Sequence, residues 1–390
     1  MSGPLLSRGS VPHLYLHVPF CRRLCPYCDF AVTPGNPPDP ERWADALRRE
    51  CAIWEARGVL LDRVETLLVG GGTPSLLGIG AMAGVQAIVG RSRLGSIREW
   101  TAEANPEDVT PDLLEGWMDA GVTRVSVGLQ SLRSDALAFL GRAHGVEEGY
   151  RAMDRCAASG LESWSVDLLF GLPPEIDPDP LDTLRQAVDR GVPHVSLYEL
   201  TAEPDTTLGR EVASGRLEMA SGDLRADQYL GLADALDAAG YAPYEMTSFA
   251  LPKHDSAHAR AVLDGGPWLG LGPGAHSRLG GHRSWNLRDW MGYLGSVMLG
   301  ELPMAGSEAD QAEDEQIEAL WFRLRSAEGV EFGALGPEAR RLHRGWVERG
   351  LALEGSDRLR LTPRGWLRLD ELAVDLARTE AKREAPFSGL

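Results

Sequence analysis

Three cysteines near the amino terminus are the residues with the clearest chemistry. Cys21, Cys25 and Cys28 lie in the stretch YLHVPFCRRLCPYCDF with the spacing C-x3-C-x2-C. Thiolates clustered this closely suit zinc or an iron–sulfur cluster. Structural zinc normally takes four protein ligands, so zinc here would need a distant histidine. Three thiolates can instead hold three irons of a 4Fe-4S cluster and leave the fourth iron to a non-protein ligand. Three unrelated thiols are the remaining interpretation.

Glycines and polar residues follow several predicted strands. A glycine run has a bare backbone that an amino acid-like ligand can approach closely, with amides free to bind it. Any one polar residue could equally be a helix cap or part of a surface loop, but together they indicate one ligand-binding mouth. These residues are Gly70, Gly71, Gly72, Thr73, Glu103, Gln130, Arg142, Asp167, Glu199 and Thr201.

Strand and helix patterns alternate over the first two hundred residues. Six strands with helical crossovers predict a parallel sheet, and six repeats make an open (β/α)6 barrel rather than a closed eight-stranded one. Ligands gather at the carboxyl ends of such strands. The predicted strands are His13–Val18, Val64–Val69, Ile97–Ala104, Thr123–Leu129, Ser163–Phe170 and His194–Leu200. The predicted helices are Glu41–Arg57, Leu76–Val89, Pro111–Ala120, Ser134–Leu140 with Val146–Ser159, and Leu181–Arg190.

The stretch 253–277 carries three of the nine histidines, His254, His258 and His276. His254 and His258 are four residues apart and would share one helix face, a spacing that metals and heme iron can use. The glycines of GLGPGAH predict a tight loop against a ligand. A helix over Ser221–Ala239 and a short strand within Tyr241–Phe249 precede this stretch.

Composition shifts near Gly306. Two amphipathic helices, Glu313–Arg325 and Pro337–Glu348, are followed by a predicted hairpin over Leu351–Leu361 and a last helix over Gly365–Ala377. This order resembles a winged helix. Its arginines are offset by many acids, which favours a protein-contact or structural role over DNA binding. A DNA-binding regulator stays as an alternative.

Bulk composition limits the other function classes. The chain has 390 residues and a net charge of −18, so it is a poor non-specific partner for nucleic acid. No apolar run is long enough to cross a bilayer, and the amino terminus lacks a secretory pattern. Five cysteines, three of them in one metal-type motif, argue against a disulfide framework and for the reducing cytoplasm. Cys51 and Cys156 read as plain thiols.

Several motifs together resemble one family. They are LYLHVPFCRRLCPYCDF, GGGTPSLL, TAEANPE, GVTRVSVGLQS, LGRAHG, DLLFGLP, HVSLYELTAEPDT and LGLGPGAHS. At these motifs the chain resembles the coproporphyrinogen III dehydrogenase-like radical S-adenosylmethionine (SAM) proteins, and among them the heme chaperones. The resemblance implies a 4Fe-4S cluster on the three cysteines. It also implies SAM contacts at Tyr15, Gly71, Gly72, Thr73, Glu103, Gln130, Arg142, Asp167, Thr201 and His276.

Two features resemble the chaperones rather than the oxidases of that family. The oxidases have a fourth cysteine two residues after the third, where this chain has Phe30, and they have a sizeable amino-terminal extension. The implied function is cytoplasmic heme binding and delivery to apo-hemoproteins such as respiratory enzymes, with peripheral membrane contact and a homodimer as further expectations. The alternative is oxygen-independent coproporphyrinogen III dehydrogenase, a true radical enzyme. No catalytic residue is assigned, and enzymatic activity stays open.

The heme chaperones typically carry an H-N-x-x-Y-W motif associated with heme. Here the corresponding residues run from His254 to Ala259 and read HDSAHA. We predict His254 or His258 as the heme-iron ligand, since neutral imidazole suits that iron. The predicted organisation is a lead over 1–11, a radical SAM core over 12–245, a segment over 246–305 that completes the substrate or heme side, and a winged-helix-like domain over 306–390.

Overall fold

A single twelve-stranded sheet organises the molecule. The computed structural model describes residues 9–35, 40–90, 96–309, 312–355 and 357–384. In chain order the strands of this sheet are β1 (His13–Val18), β2 (Thr66–Gly71), β3 (Glu99–Ala104), β4 (Arg124–Gln130), β5 (Ser163–Phe170), β6 (His194–Glu199), β7 (Ala242–Glu245), β8 (Ser248–Ala250), β9 (Trp268–Leu271), β10 (His276–Leu279), β11 (His282–Asn286) and β12 (Met304–Ala309). Their spatial order is β7-β8-β6-β5-β4-β3-β2-β1-β9-β10-β11-β12.

Helices cover the sheet and build the carboxyl-terminal region. They are α1 (Pro40–Ala56), α2 (Gly78–Val89), α3 (Pro111–Ala120), α4 (Ser134–Phe139), α5 (Val146–Ala158), α6 (Pro180–Asp189), α7 (Thr207–Ala213), α8 (Gly222–Ala238), α9 (Ala257–Leu263), α10 (Trp290–Met298), α11 (Ala312–Arg325), α12 (Pro337–Glu348), α13 (Pro363–Trp366) and α14 (Leu369–Glu384). No helix of the described residues is both long and apolar enough to span a bilayer.

The parallel part of the sheet confirms the predicted α/β architecture and adds a strand to it. β6, β5, β4, β3, β2 and β1 run parallel in that order, as the six-repeat pattern predicts. A seventh strand, β9, pairs in parallel with the other edge of β1. The sequence indicated a ligand loop at this point, because β9 is four residues long and contains Gly270, which weakens a strand signal.

β1 is an interior strand of the sheet, with a parallel neighbour on each edge. Leu14, Leu16 and Val18 are fully buried in the core. Trp43 and Trp54 of α1 are buried in the same core. Such a rigid strand gives the cysteine loop that follows it a fixed starting point.

The two ends of the parallel strands carry different groups. The carboxyl ends lead into the cysteine loop and the predicted ligand residues. The first residues of the six strands are polar and form what we call the barrel floor. They are His13, Thr66, Glu99, Arg124, Ser163 and His194; all but Ser163 are buried.

The carboxyl-terminal region has the winged-helix-like order of elements. Val330–Glu331 pairs antiparallel with Arg358–Leu359, and Ala352 bridges to Leu361 across the predicted hairpin. The turn residue Ser356 lies outside the described residues. One predicted helix differs: the last helix is two helices, α13 and α14, and it extends beyond Ala377.

Candidate cluster and cofactor site

A cavity of about 350 Å³ opens at the carboxyl ends of the parallel strands. It brings together most of the predicted site residues, although they are spread over the chain from Cys21 to Thr201. The predicted residues that line it are Cys21, Cys25, Cys28, Gly71, Gly72, Thr73, Glu103, Gln130, Arg142, Asp167 and Thr201. The structure therefore brings these residues together around one cavity.

The cysteine loop is tied to its surroundings at several points. Phe20–Cys21 pairs with Thr33–Pro34, and the Leu208 amide donates to the carbonyl of Pro26 at 2.7 Å. His17 of β1 bonds the carbonyl of Ala31 at 2.9 Å through Nε2. These contacts hold both arms of the loop, so the three thiols face the cavity from defined positions.

All three cysteines are free and partly exposed. Burial raises the pKa of the Cys21 thiol, and a hydrogen bond from Thr73 partly offsets that effect. Burial likewise raises the pKa of Cys28 to about 11. Without a metal, both groups are therefore neutral thiols near pH 7. Metal binding would deprotonate them and release protons.

The number of thiols in the cavity bears on the metal alternatives. Structural zinc would need a fourth protein ligand, whereas in a 4Fe-4S cluster three thiolates bind three different irons. The donor chemistry, three half-exposed thiols around one cavity, fits the cluster.

The glycine run is needed for close packing as well as for the predicted approach of a ligand. Gly71 has a φ of 100°, and a Cβ there would lie 2.4 Å from the His17 ring. A Cβ on Gly72 would lie 2.6 Å from the carbonyl oxygens of Val18 and Phe20. The bare backbone therefore lets the end of β2 approach the cysteine loop, in addition to leaving room for a ligand.

Two of the acidic residues that line the cavity, Glu103 and Asp167, were predicted as site residues. Glu103 accepts a hydrogen bond from the Gly71 amide at 3.0 Å, and Asp167 accepts from the Ser126 hydroxyl at 3.3 Å. Burial raises the pKa of Glu103 to about 7, with the charge of Asp167 acting in the same direction. Burial raises the pKa of Asp167 to about 6, opposed by hydrogen bonds from Ser196 and Ser126. When ionised, these groups suit the amino or hydroxyl groups of a ligand.

Arg142 is the one predicted site residue in the cavity wall with a positive charge. Its guanidinium donates to Asn105 Oδ1 at 2.6 Å, to the Gly128 carbonyl at 2.9 Å and to Cys25 Sγ at 3.8 Å. A Cβ on Gly128 would lie 3.3 Å from the guanidinium, so glycine leaves it room. Asn105 was not predicted as a site residue. The only sequence signal for it was its place directly after the end of β3.

Gln130 sits at the end of β4 in an uncommon backbone conformation. Its φ is 66°, and it is one of two non-glycine residues with a positive φ among the described residues. The register between β4 and β5 shifts just before it. Strain of this kind persists where the surroundings fix it, often at functional sites. Here it accompanies a side chain that lines the cavity.

Two predicted SAM contacts lie off the cavity lining. Tyr15 is in β1, and its hydroxyl bonds His17 Nδ1 at 2.8 Å. Burial and, to a lesser degree, the charge of Glu103 raise the pKa of Tyr15. His276, at the start of β10, is exposed and stacks on Trp285 with ring centroids 6.0 Å apart. Neither side chain reaches the cavity as it stands.

The two candidate heme ligands lie at the barrel floor, at the opposite ends of the strands. His254 Nδ1 bonds Ser163 Oγ at 3.0 Å, and His258 Nδ1 bonds Thr66 Oγ1 at 2.9 Å. Glu99 accepts hydrogen bonds from Ser256 Oγ and from the amides that begin α9. The structure therefore separates these histidines from the cysteines by the length of the strands, roughly 20 Å for six residues.

Comparison with known proteins places this geometry in a family. Residues 15–187 match the model of the Radical SAM superfamily. The heme chaperone HemW of Mycobacterium tuberculosis is 38% identical over 369 residues, which cover 93% of this chain and 94% of the relative. The chain belongs to the HemW family of radical SAM proteins. The heme chaperone HemW of Escherichia coli is 37% identical over 68% of this chain and 70% of its own.

A solved structure shares the fold of this HemW family member. Coproporphyrinogen III oxidase (HemN) from Escherichia coli superposes with a TM-score of 0.76 over 95% of this chain and 90% of its own, at 20% identity. The radical SAM family implies a 4Fe-4S cluster and SAM, and the thiols and polar walls of the cavity fit both groups.

Proposed function

We propose that the chain is a cytoplasmic heme chaperone, which binds heme and passes it to apo-hemoproteins such as respiratory enzymes. The observation that carries the proposal is the match, over nearly the whole chain, to a relative named heme chaperone HemW. A peripheral contact with the membrane and a homodimer belong to the same proposal. Vesicle co-sedimentation and sedimentation velocity test these two points.

The cavity at the carboxyl ends is the proposed cluster and SAM site. Cys21, Cys25 and Cys28 would hold the cluster, and the walls around Glu103 and Arg142 would bind SAM. When bound, a reduced cluster supplies one electron for cleaving SAM. The residues of the chain contribute orientation, charge and enclosure.

Phe30 supports a chaperone over an oxidase. It stands where the resemblance places a fourth cysteine in the oxidases, and its side chain is 59% exposed beside the cavity. The other two cysteines, Cys51 and Cys156, are buried in the core. Neither can serve as the fourth thiol at the mouth.

Of the two candidate histidines, His254 is the better heme ligand. His258 is buried, bonded to Thr66 and packed edge-on against the His13 ring. His254 is half-buried, and its Nε2 makes no hydrogen bond to any residue in the described part of the chain. Burial and the charge of Arg124 lower the pKa of His254, so its imidazole is neutral at pH 7, the form that binds heme iron.

This placement gives the proposal a geometric consequence. Heme on His254 would lie at the barrel floor and would not touch a cluster at the cysteine cavity. A porphyrinogen substrate of an oxidase would have to lie in the cavity, against SAM. The two functions therefore predict ligands at opposite ends of the strands.

The test starts with anaerobic reconstitution of the cluster. Portions of the protein then receive hemin, or coproporphyrinogen III with SAM and dithionite, and the readouts are the Soret band, 5′-deoxyadenosine and protoporphyrinogen IX. Stoichiometric heme binding without porphyrinogen turnover supports the chaperone. Turnover with release of 5′-deoxyadenosine would replace it with the dehydrogenase.

A further inference from the structure

Two of the three cysteine sulfurs receive a hydrogen bond from a side chain. Thr73 Oγ1 donates to Cys21 Sγ at 3.4 Å, and Arg142 donates to Cys25 Sγ at 3.8 Å. Thr73 follows β2, and Arg142 lies beyond the end of β4. One residue connects the two donors.

Asn105 is that connection. Its Oδ1 accepts from Arg142 at 2.6 Å, and its Nδ2 donates to Thr73 Oγ1 at 3.4 Å. The orientation of the amide follows from chemistry, because a guanidinium can only donate and must face the oxygen. The NH2 group then faces Thr73. The Thr73 hydroxyl accepts that hydrogen bond and directs its own proton toward Cys21.

The backbone around Asn105 holds the amide in this position. Asn105 precedes the short 3-10 turn Pro106–Asp108, where a side chain of its type usually caps the turn, yet it makes no cap hydrogen bond. Its backbone amide donates instead to Ser75 Oγ at 3.1 Å, and Ser75 donates to Asp108 at 2.8 Å. The side chain is therefore free to point into the cavity, which it lines.

Hydrogen bonds to cluster sulfurs stabilise the reduced, more negative state and raise the reduction potential. We propose that Asn105 is a positioning residue that sets the reduction potential of the cluster, because its single amide aims Thr73 at Cys21 and Arg142 at Cys25. The inference needs a cluster on the three cysteines but does not need heme. A failure to bind heme would leave it standing.

The test is an EPR-monitored redox titration of the reconstituted protein without SAM, at measured iron and sulfide content. Asn105→Leu removes both amide contacts at similar volume and leaves the net charge unchanged. We expect the equilibrium constant for one-electron reduction of the cluster to fall about tenfold, which lowers the reduction potential by about 59 mV. Arg142 keeps the Gly128 carbonyl as an acceptor, so part of its contact to Cys25 survives. Gln86→Leu is the matched control, since Gln86 donates to the Ala120 carbonyl outside the site.

Variants of Thr73 separate positioning from a general loss of packing. Thr73→Val should lower the potential, and Thr73→Ser, which keeps the hydroxyl, should restore it. If Asn105 acts through Thr73, the double variant Asn105→Leu/Thr73→Val should shift the potential by less than the sum of the single shifts.

Two results would overturn the proposal that Asn105 sets the reduction potential. The proposal fails if Asn105→Leu holds a full cluster with the potential of the Gln86→Leu control. If Asn105→Leu cannot hold a cluster, Thr73→Val decides: an unchanged potential overturns the proposal, and a lower potential that Thr73→Ser restores supports it.

Discussion

His258 Nδ1 and Thr66 Oγ1 lie 2.9 Å apart, which fixes the start of α9 to the first residue of β2. The same hydroxyl contacts His13 Nδ1 at 2.9 Å, so one threonine links two buried imidazoles. A hydroxyl has one proton to give, and it therefore donates to one ring and accepts from the other. Burial lowers the pKa of His258 to about 4, which keeps its ring neutral at physiological pH.

The two candidate heme ligands should respond differently to truncation. His254→Ala should weaken heme binding roughly tenfold or more, because the proposed iron ligand is lost, and should shift the Soret band. His258→Ala should mainly destabilise the fold, by about 2 kcal/mol, because a buried hydrogen bond and packing are lost. Hemin titration and thermal unfolding measure the two effects. Equal heme affinity of His254→Ala and wild type would remove His254 from the proposal.

Heme binding should not depend on the cluster. The variant with Cys21, Cys25 and Cys28 all changed to Ser should bind hemin within about threefold of wild type, because the barrel floor lies at the other ends of the strands. A much weaker affinity would place heme at the cysteine cavity.

Single substitutions of the three motif cysteines should abolish the cluster. Cys21→Ser, Cys25→Ser and Cys28→Ser should each lose most of the bound iron and its charge-transfer absorption, because each thiolate binds its own iron. Cys51→Ala and Cys156→Ala are the controls, since both thiols are buried in the core. Anaerobic iron, sulfide and zinc analysis provides the measurement. Zinc in place of iron would favour the zinc interpretation.

Binding of SAM should weaken as pH falls. Burial raises the pKa of Glu103 to about 7, so we expect the carboxylate to be mostly ionised at pH 8 and mostly protonated at pH 6. If the ionised form binds SAM, its affinity should fall about tenfold over that range. Calorimetry of the cluster-loaded protein at each pH measures the affinity for SAM. Glu103→Gln should bind more weakly at pH 8 with a flatter profile, and Glu162→Gln, an exposed carboxylate, should behave as wild type.

Glu50 should be a strong stability determinant. It is fully buried in α1 and accepts hydrogen bonds from the Gly272 amide, Asn286 Nδ2 and Tyr293 OH. Glu50→Ala removes the shared acceptor of these donors, of which Asn286 Nδ2 keeps only the Gly272 carbonyl, and should cost about 3 kcal/mol. Glu55→Ala, an exposed position on the same helix, should cost little.

The effect of Glu50 should also depend on pH. Burial raises its pKa from 4.5 to about 7, so the folded protein retains a proton that the unfolded chain loses. The stability that protonated Glu50 contributes to the folded state is complete below pH 4.5 and is lost as pH rises through 7. Thermal unfolding should therefore show a larger difference between wild type and Glu50→Ala at pH 5 than at pH 8. A constant difference would contradict the raised pKa.

The sequence predicted the cysteine cavity better than the other end of the strands. Strand–helix alternation orders the carboxyl ends at one edge, so Glu103 and Asp167 could be expected together. No such rule says which edge a later segment covers, and the position of His254 and His258 at the floor could not be inferred. Asn105 was not predicted as a site residue, because an asparagine before proline is typical of an ordinary turn. β9 was not predicted as a strand, because Gly270 interrupts a very short apolar run.

The central place of β1 has a consequence for how the protein is made. β1 is translated long before its second neighbour, β9, which is complete only when Leu271 has been translated. Until then one edge of the strand that leads to Cys21 has unpaired amides and carbonyls, which are prone to pairing with other chains. Nascent chains stopped before Trp268 should therefore aggregate or recruit chaperones, whereas chains extended past β11 should not.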